Sequence, residues 1–122
     1  MEHLSRALQH ENCHVETLVL HHNKIGGANG YGENFLSNAL QHENCKIKIL
    51  DLSWNNIDHK GMEHLSRALE HKHCHVKTLK LGNNNIGNEG MEHLSRALEH
   101  KNCRITNLNL SSCGINAVVR DF

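Results

Sequence analysis

The stretch MEHLSRALEHKHC, from Met62 to Cys74, returns almost unchanged as MEHLSRALEHKNC from Met91 to Cys103, 29 residues further along a chain of 122 residues. Two looser copies precede them, MEHLSRALQHENC from Met1 to Cys13 and ENFLSNALQHENC from Glu33 to Cys45. A unit that recurs every ~20 to 50 residues is typical of a solenoid, because one unit can bury its apolar face only against its neighbours. The period therefore predicts a stack of repeats.

After each cysteine, a short segment of alternating apolar residues predicts a strand. The segments are CHVETLVLHHNKI from Cys13, CKIKILDLSWNNI from Cys45, CHVKTLKLGNNNI from Cys74 and CRITNLNLSSCGI from Cys103. Each contains two leucines at L-x-L spacing, which is typical of a strand with one buried face. Three residues past the second leucine lies an asparagine, or Cys113 in the last copy, and we expect such an amide to bond backbone groups of adjacent turns. The asparagines are Asn23, Asn55 and Asn84.

The repeated block itself predicts an amphipathic helix. Its apolar residues fall at positions i, i+3, i+6 and i+7, on one face of a helix, as Met62, Leu65, Ala68 and Leu69 do. We expect Asn88 to cap the helix of the following copy. Strand and helix alternating within 29 residues predict a right-handed α/β solenoid of about four strand–helix repeats with parallel strands. Strands lie about 4.8 Å apart and helices about 10 Å apart, so the stack curves into a horseshoe segment with its strands on the concave face.

The combined pattern C-x-V/I-x-x-L-x-L-x-x-N-x-I, followed by G-x-x-x-L-x-x-A-L, resembles the leucine-rich repeat of the ribonuclease-inhibitor type. That type also forms the sensing regions of nucleotide-binding leucine-rich-repeat, or NOD-like, receptors. The resemblance covers essentially the whole chain. It implies a protein-binding scaffold, and it implies a cytosolic receptor of innate immunity as the parent protein.

The repeat boundaries predict a single domain that belongs to a longer array. We expect a helical start at 1–13, repeats near 13–44, 45–73 and 74–102, and a partial repeat at 103–122. Neither end carries the polar capping repeat that solenoids use for solubility, so we expect the uncapped ends, above all the strand at Leu108–Leu110, to favour self-association.

Composition excludes several classes of function. With 13 basic and 13 acidic residues the formal net charge is zero, which predicts no general attraction to nucleic acid or to an anionic membrane. There is no apolar run of the ~18 residues needed for a membrane span, and no signal peptide pattern. Five cysteines without a secretion signal favour reduced thiols and a cytoplasmic location. Four of them occupy equivalent repeat positions, which indicates a core column.

The two closest copies differ at one position in the helical block, yet in the next twelve residues only two leucines and an isoleucine agree. Alternation places the divergent side chains on the concave face, and we interpret that face as the recognition surface. Drift on a solvated surface is the alternative, although the equally solvated helix residues have barely changed. The predicted partner-binding residues are Val19, His21 and His22, then Ile49, Asp51, Ser53 and Trp54, then Lys80, Asn83, Asn107 and Asn109.

Two features of this predicted surface have alternative interpretations. Trp54 is the only tryptophan and the best candidate for a binding hot spot, because large aromatics dominate interface energies. Alternatively, Trp54 covers a core edge or packs on a neighbouring repeat. Asp51 and Lys80 are expected on adjacent strands, where they could pair with each other.

Two clusters could suggest a metal or phosphate site. EHKHCHV, from Glu70 to Val76, contains imidazole and thiol ligands for zinc or copper. However, Cys74 belongs to the core column and alternation turns its neighbours away, so no metal site is predicted. The glycines within 26–32 match no nucleotide fingerprint and are interpreted as a rim insertion. No catalytic residue and no cofactor are predicted.

The leading hypothesis is a non-enzymatic protein–protein interaction module that binds through the concave face. A ribonuclease inhibitor is one alternative, but it must hold a basic enzyme, and Asp51 and Glu16 are nearly alone there against Lys48, Lys77 and Lys80. A second alternative is a GTPase-activating leucine-rich-repeat protein, which needs an exposed catalytic arginine or asparagine. The third is a structural spacer without a partner.

Overall fold

The computed structural model describes residues 1–26 and 31–114, in which helices and strands alternate along the chain. The helices are α1 (Glu2–Leu8), α2 (Tyr31–Leu40), α3 (His59–Leu69) and α4 (Gly87–Glu99). The strands are β1 (Thr17–Val19), β2 (Ile49–Asp51), β3 (Thr78–Lys80) and β4 (Asn107–Asn109). The strands form one parallel sheet in the order β1-β2-β3-β4. This arrangement confirms the predicted α/β solenoid.

The leucine pairs form a buried column between the sheet and the helices. In the register, Leu18, Leu50, Leu79 and Leu108 lie opposite one another on neighbouring strands. The pairs of β2 and β3 are at most 1% exposed, whereas those of β1 and β4 are only partly buried. The helices complete the core with the predicted apolar stripe, which in α3 is 0 to 3% exposed. Both central repeats are therefore covered on two sides, which is how a solenoid gains stability.

The asparagines that follow the leucine pairs of β2 and β3 bond successive repeats together, as predicted, whereas among the described residues the side chain of Asn23 bonds only its own loop. The Oδ1 atom of Asn55 accepts hydrogen bonds from the backbone N–H groups of Asn23 and Ile25, at 3.0 and 3.2 Å. Its Nδ2 donates to backbone oxygens on both sides, including Leu20 at 2.9 Å. Asn84 repeats the arrangement one unit later, and Cys113 then places its Sγ 3.0 Å from the Leu81 oxygen. The ladder satisfies buried backbone groups that the short strands leave unpaired.

A histidine closes each turn between a helix and the next strand. In all four copies its Nδ1 accepts a hydrogen bond from the backbone N–H two residues later, at 3.0 or 3.1 Å. The histidines are His10, His42, His71 and His100. The bond fixes the orientation of each ring, because it requires Nδ1 to act as the acceptor.

The helix starts differ from the prediction at Asn88. Helix α4 begins at Gly87, which has a φ of +69°, so Asn88 lies inside the first turn and is not the cap. The cap position is occupied by Ile86, which makes no side-chain cap hydrogen bond. In α3, by contrast, the Asp58 carboxylate accepts hydrogen bonds from the N–H groups of Lys60 and Gly61. The expected cap at Asn88 was therefore wrong, because α4 begins two residues earlier, at a glycine that tolerates positive φ.

Two of the predicted segments extend beyond the described residues. The expected rim insertion includes residues 27–30, and the partial repeat at 103–122 includes residues 115–122; both of these stretches lie outside the description. Within the described part of the chain, no helix has the length and apolar character that crossing a membrane requires.

Candidate functional site

The strand register assembles the predicted concave-face residues into rows that cross the sheet. The first row contains Thr17, Ile49, Thr78 and Asn107, and the second contains Val19, Asp51, Lys80 and Asn109. Residues two apart on a strand point to the same side, so both rows share one face, and the leucines between them point into the core. All the strand residues of the predicted site therefore lie on one surface.

A third row follows in the loops after the strands. His22, Trp54, Asn83 and Ser112 occupy equivalent positions, and each has a φ between +56° and +61°. This left-handed conformation is uncommon for residues other than glycine. Backbone hydrogen bonds between neighbouring repeats hold this conformation. The N–H of His22 donates to the carbonyl of Ser53, that of Trp54 to Gly82, and that of Asn83 to Ser111. Ser53 and His21 precede two of these positions.

The most exposed large apolar side chains of this surface lie on the first two repeats. Val19 is 53% exposed, Ile49 39% and Trp54 52%. The indole ring of Trp54 stacks on the imidazole of His22, with ring centroids 5.2 Å apart and planes 14° from parallel. Trp54 thus packs on a neighbouring repeat and still exposes half of its surface. We call Val19, His22, Ile49 and Trp54 the Trp54 patch.

Asp51 is the carboxylate at the centre of this face. Partial burial raises its pKa, but this is outweighed by hydrogen bonding from Ser53 and by the nearby charges of His21 and Lys80, so that the pKa lies below its ordinary value. The N–H of Ser53 donates to Oδ1 of Asp51 at 3.0 Å. Among the described residues, Asp51 and Lys80 form no ion pair within 4.0 Å, although they are register partners. The two residues therefore lie on adjacent strands, as predicted, and the charge of Lys80 lowers the pKa of Asp51 without a direct ion pair.

The other half of the face is polar. Between β3 and β4 lies a shallow depression of about 240 Å³, lined by Thr78, Lys80, Asn107 and Asn109 together with the two core leucines. Oδ1 of Asn109 accepts hydrogen bonds from the N–H and the hydroxyl of Ser111, at 3.0 and 2.9 Å. The face therefore grades from apolar at β1 and β2 to polar at β3 and β4.

These repeats can be compared with known proteins. A family model described as Leucine Rich repeat matches residues 11–28, 43–66 and 72–95, which is more than half of the chain. This chain belongs to the leucine-rich repeat family. No curated protein sequence matches it.

A solved leucine-rich-repeat-like structure shares the fold. A chain titled "Leiomodin-1 Actin-Binding Site 2 (ABS2)" superposes on 89% of this chain with a TM-score of 0.74 and 17% sequence identity. At that identity the similarity shows a common architecture and nothing about ligands. This leucine-rich repeat chain spans 60% of the length of that neighbour.

The histidine and cysteine residues of the third leucine-rich repeat serve its structure. Burial raises the pKa of Cys74 to about 11, so this thiol is protonated at neutral pH and is a poor metal ligand. Nδ1 of His71 accepts the N–H of His73 and is not free to bind an ion. Within residues 1–26 and 31–114, no three histidine, cysteine or acidic side chains come together as a metal site would require. The cysteines of this part of the chain are free thiols.

A second surface was missed by the sequence analysis. It lies just before the strands, where Lys46, Lys48, Lys77 and Arg104 follow the repeat cysteines; we call these four residues the basic strip. The sequence indicates only part of this surface, because the strand pattern places Lys48 and Lys77, but not the other two residues, beside the predicted face. Lys46 and Arg104 become neighbours of the others only when the repeats are superimposed.

Proposed function

We propose that this leucine-rich repeat chain is a non-enzymatic module that binds a protein partner through its concave face, with the Trp54 patch as the main contact. The observation that carries the proposal is the exposure of Trp54, which remains 52% exposed after stacking on His22. Tryptophan side chains held in place before binding lose little entropy on association and often dominate interface energies.

The rest of the proposed site fits this role. Val19 and Ile49 lie on neighbouring strands of the same face, and they add apolar surface around the tryptophan. The polar rows of β3 and β4 would form the rim, with Lys80, Asn83, Asn107 and Asn109 offering hydrogen-bonding groups. An apolar centre beside a polar rim is the usual anatomy of a protein interface. Four strands are only about 15 to 20 Å wide, which is marginal for a stable interface of ~800 Å² per partner.

We propose further that the repeats are of the ribonuclease-inhibitor type and that the parent protein is a cytosolic immune receptor. The support is the residue pattern of the repeats, which resembles the sensing regions of NOD-like receptors. Inhibition of a basic ribonuclease is less well supported, because Lys77 and Lys80 are exposed on or beside the face and would repel such an enzyme.

A GTPase-activating role is also less well supported. Arg6, Arg67 and Arg96 lie on the helices, where each contacts the glutamate four residues earlier. Arg104 donates to the backbone oxygen of Cys74 at 3.0 Å. Thus each arginine of the described residues contacts its own chain, whereas a catalytic arginine would have to reach a bound phosphate.

The proposal is tested by comparing partner capture by the wild type, Trp54→Ala and Val15→Ala. Val15 is a matched control, because it is also an exposed apolar side chain, at 42%, but it lies outside the Trp54 patch. A captured partner is purified and its affinity is measured by calorimetry. We expect Trp54→Ala to weaken binding by about thirtyfold, or ~2 kcal/mol, and Val15→Ala to have little effect.

The same experiment can refute the proposal. Unchanged affinity in Trp54→Ala, together with loss of binding on substitution of an exposed helix residue such as Arg67, would place the interface on the convex side. Purified actin is a useful additional probe, because the structural neighbour is an actin-binding site, and binding that withstands Trp54→Ala would count against the concave face.

A further inference from the structure

The basic strip is held in register by the backbone. Lys48 donates its N–H to the carbonyl of Glu16 at 2.7 Å, and Lys77 donates in turn to the carbonyl of Lys48 at 2.8 Å. Thr106 continues the series by donating to the carbonyl of Lys77 at 2.8 Å. The spacing of the sheet therefore extends into this segment. It places the backbones of Lys48 and Lys77 side by side, about 4.8 Å apart.

Arg104 is directed across the strip. Its guanidinium donates to the Cys74 oxygen at 3.0 Å and lies 2.7 Å from Nδ1 of His75. Because arginine has only donors, His75 must accept this bond and is neutral here. Burial lowers the pKa of His75, and the positive charges of Arg104, Lys48, His73 and Lys46 lower it further. These positive side chains therefore converge on one small area.

Little negative charge compensates this area. Lys48 contacts the carboxylate of Glu16 at 3.4 Å, in a pair whose side chains are both more than half exposed. Among residues 1–26 and 31–114, no carboxylate lies within 4.0 Å of Lys46, Lys77 or Arg104. Like charges on neighbouring strands destabilise a sheet, and here they are concentrated in a chain whose net charge is zero. An external group of negative charge would relieve the repulsion.

We propose that the basic strip binds an acidic segment of a protein, rich in aspartate or glutamate, beside the Trp54 patch. This inference rests on the proposed function and adds the charge of the partner. Lys48 immediately precedes Ile49 of the Trp54 patch, so a partner seated on the patch reaches the strip without crossing another element. Glu16 pairs with Lys48 at one edge of the strip, so the uncompensated positive area is short, which suits a short acidic segment better than the continuous charge of a nucleic acid.

The probe is a fluorescein-labelled oligoglutamate peptide, with binding followed by fluorescence anisotropy at ~0.05 M salt, where screening is weak. The triple variant Lys46→Gln, Lys77→Gln and Arg104→Gln is expected to bind about tenfold more weakly than the wild type, since three exposed ion pairs each contribute modestly. The control variant Arg67→Gln, Lys72→Gln and Lys101→Gln loses the same charge elsewhere, and its affinity should change less than about twofold.

A second variant guards against misfolding. Arg104 contributes to the structure through its bond to the Cys74 oxygen. The double variant Lys46→Gln with Lys77→Gln, which removes one half-buried and one exposed lysine charge, is therefore measured beside the triple variant and should also weaken binding. Equal binding by wild type, double and triple variants would overturn the inference. So would equal weakening by the control, because the effect would then come from net charge alone. An oligothymidylate of matched charge that binds more tightly than the peptide would likewise overturn it, in favour of nucleic acid.

The two proposals fail separately. Loss of oligoglutamate binding in the triple variant tests only the basic strip. Partner binding that withstands Trp54→Ala removes the proposed function and leaves the anion-binding result standing.

Discussion

Replacing Glu33 by methionine should stabilise this chain. Glu33 occupies the repeat position held by Met62 and Met91, each 0% exposed, and it is itself only 1% exposed. Neither of its carboxyl oxygens has a hydrogen-bond partner among the described residues. Gly61 packs against the Glu33 side chain as Gly90 packs against Met62, so the site is shaped for an unbranched side chain. The variant Glu33→Met restores the residue that the other copies use.

The expected magnitude follows from this burial. Burial raises the pKa of Glu33 and the charge of Asp58 raises it further, while its own backbone N–H, which lies near the carboxyl group without forming a geometrically acceptable hydrogen bond, offsets only part of the increase. A carboxyl whose folded-state pKa is raised stabilises the fold least at high pH, because ionisation is easier in the unfolded chain. Replacing buried ion pairs by well-packed apolar side chains of similar volume is neutral or gains about 1 to 4 kcal/mol, and a lone buried carboxyl group has no partner charge to offset its desolvation. Glu33→Met should therefore raise the free energy of unfolding, and more so at pH 8 than at pH 4.

Urea unfolding at several pH values measures this difference. Subtracting the unfolding free energy of the wild type from that of the variant cancels the contribution of the histidines, which are the same in both proteins. The reciprocal variant Met62→Glu is the matched control, and it should destabilise by more than about 3 kcal/mol, since it buries a new charge in the central core. A Glu33→Met protein that is less stable than the wild type, or a difference that does not vary with pH, would refute the reasoning. The first result would mean that the Glu33 side chain is stabilised in the folded state, and the second that its pKa is the same in the folded and unfolded chains.

Three further predictions concern the repeated contacts. Asn55→Ala should lower the unfolding free energy by about 3 kcal/mol, because it leaves the buried N–H of Ile25 and the partly buried N–H of Asn23 without acceptors. Asn23→Ala, at an exposed position, should cost less than about 1 kcal/mol in the same urea titration. Equal losses of stability in Asn55→Ala and Asn23→Ala would contradict the structural role of the Asn55 hydrogen bonds. His71→Ala should lower the stability measured by thermal unfolding by about 1 kcal/mol. His71→Asn should recover most of this loss, because an asparagine oxygen can accept the same N–H of His73. If His71→Asn is no more stable than His71→Ala, the bond is unimportant. Burial raises the pKa of Cys74 from its ordinary value of 9.0 to about 11. At pH 8 this thiol should therefore react with a thiol reagent about a hundredfold more slowly in the folded protein than in urea. Rapid labelling of the folded protein would show that the core opens.

Sequence periodicity predicted most of the fold because it reports burial directly. The leucine pairs recur at spacing two and the helical stripe at spacing three to four, and each spacing matches one way of burying a face. Asn55 and Asn84 were also predictable, since an amide at a fixed place in each unit has backbone partners in the neighbouring units. The start of α4 was mispredicted because a glycine at positive φ changes the helix entrance without changing the apolar pattern.

The surface was harder to predict, because it depends on the register between repeats. The stacking of Trp54 on His22 requires two loop residues in left-handed conformation, and no side-chain pattern encodes that φ. The basic strip is scattered from Lys46 to Arg104 in the sequence and becomes compact only when unequal periods are aligned. Glu33 could have been found, since it is the one copy in which methionine is replaced at a core position.

In the part of the chain that the structure describes, the principal contacts between helices, and between strands, join consecutive elements. A whole 29-residue unit inserted between two repeats would meet the same neighbours that its template meets, and would need no compensating change elsewhere. Duplication can therefore lengthen such a protein in single steps. Each step adds one strand's width of new recognition area, which is then free to diverge while the inherited framework stays fixed.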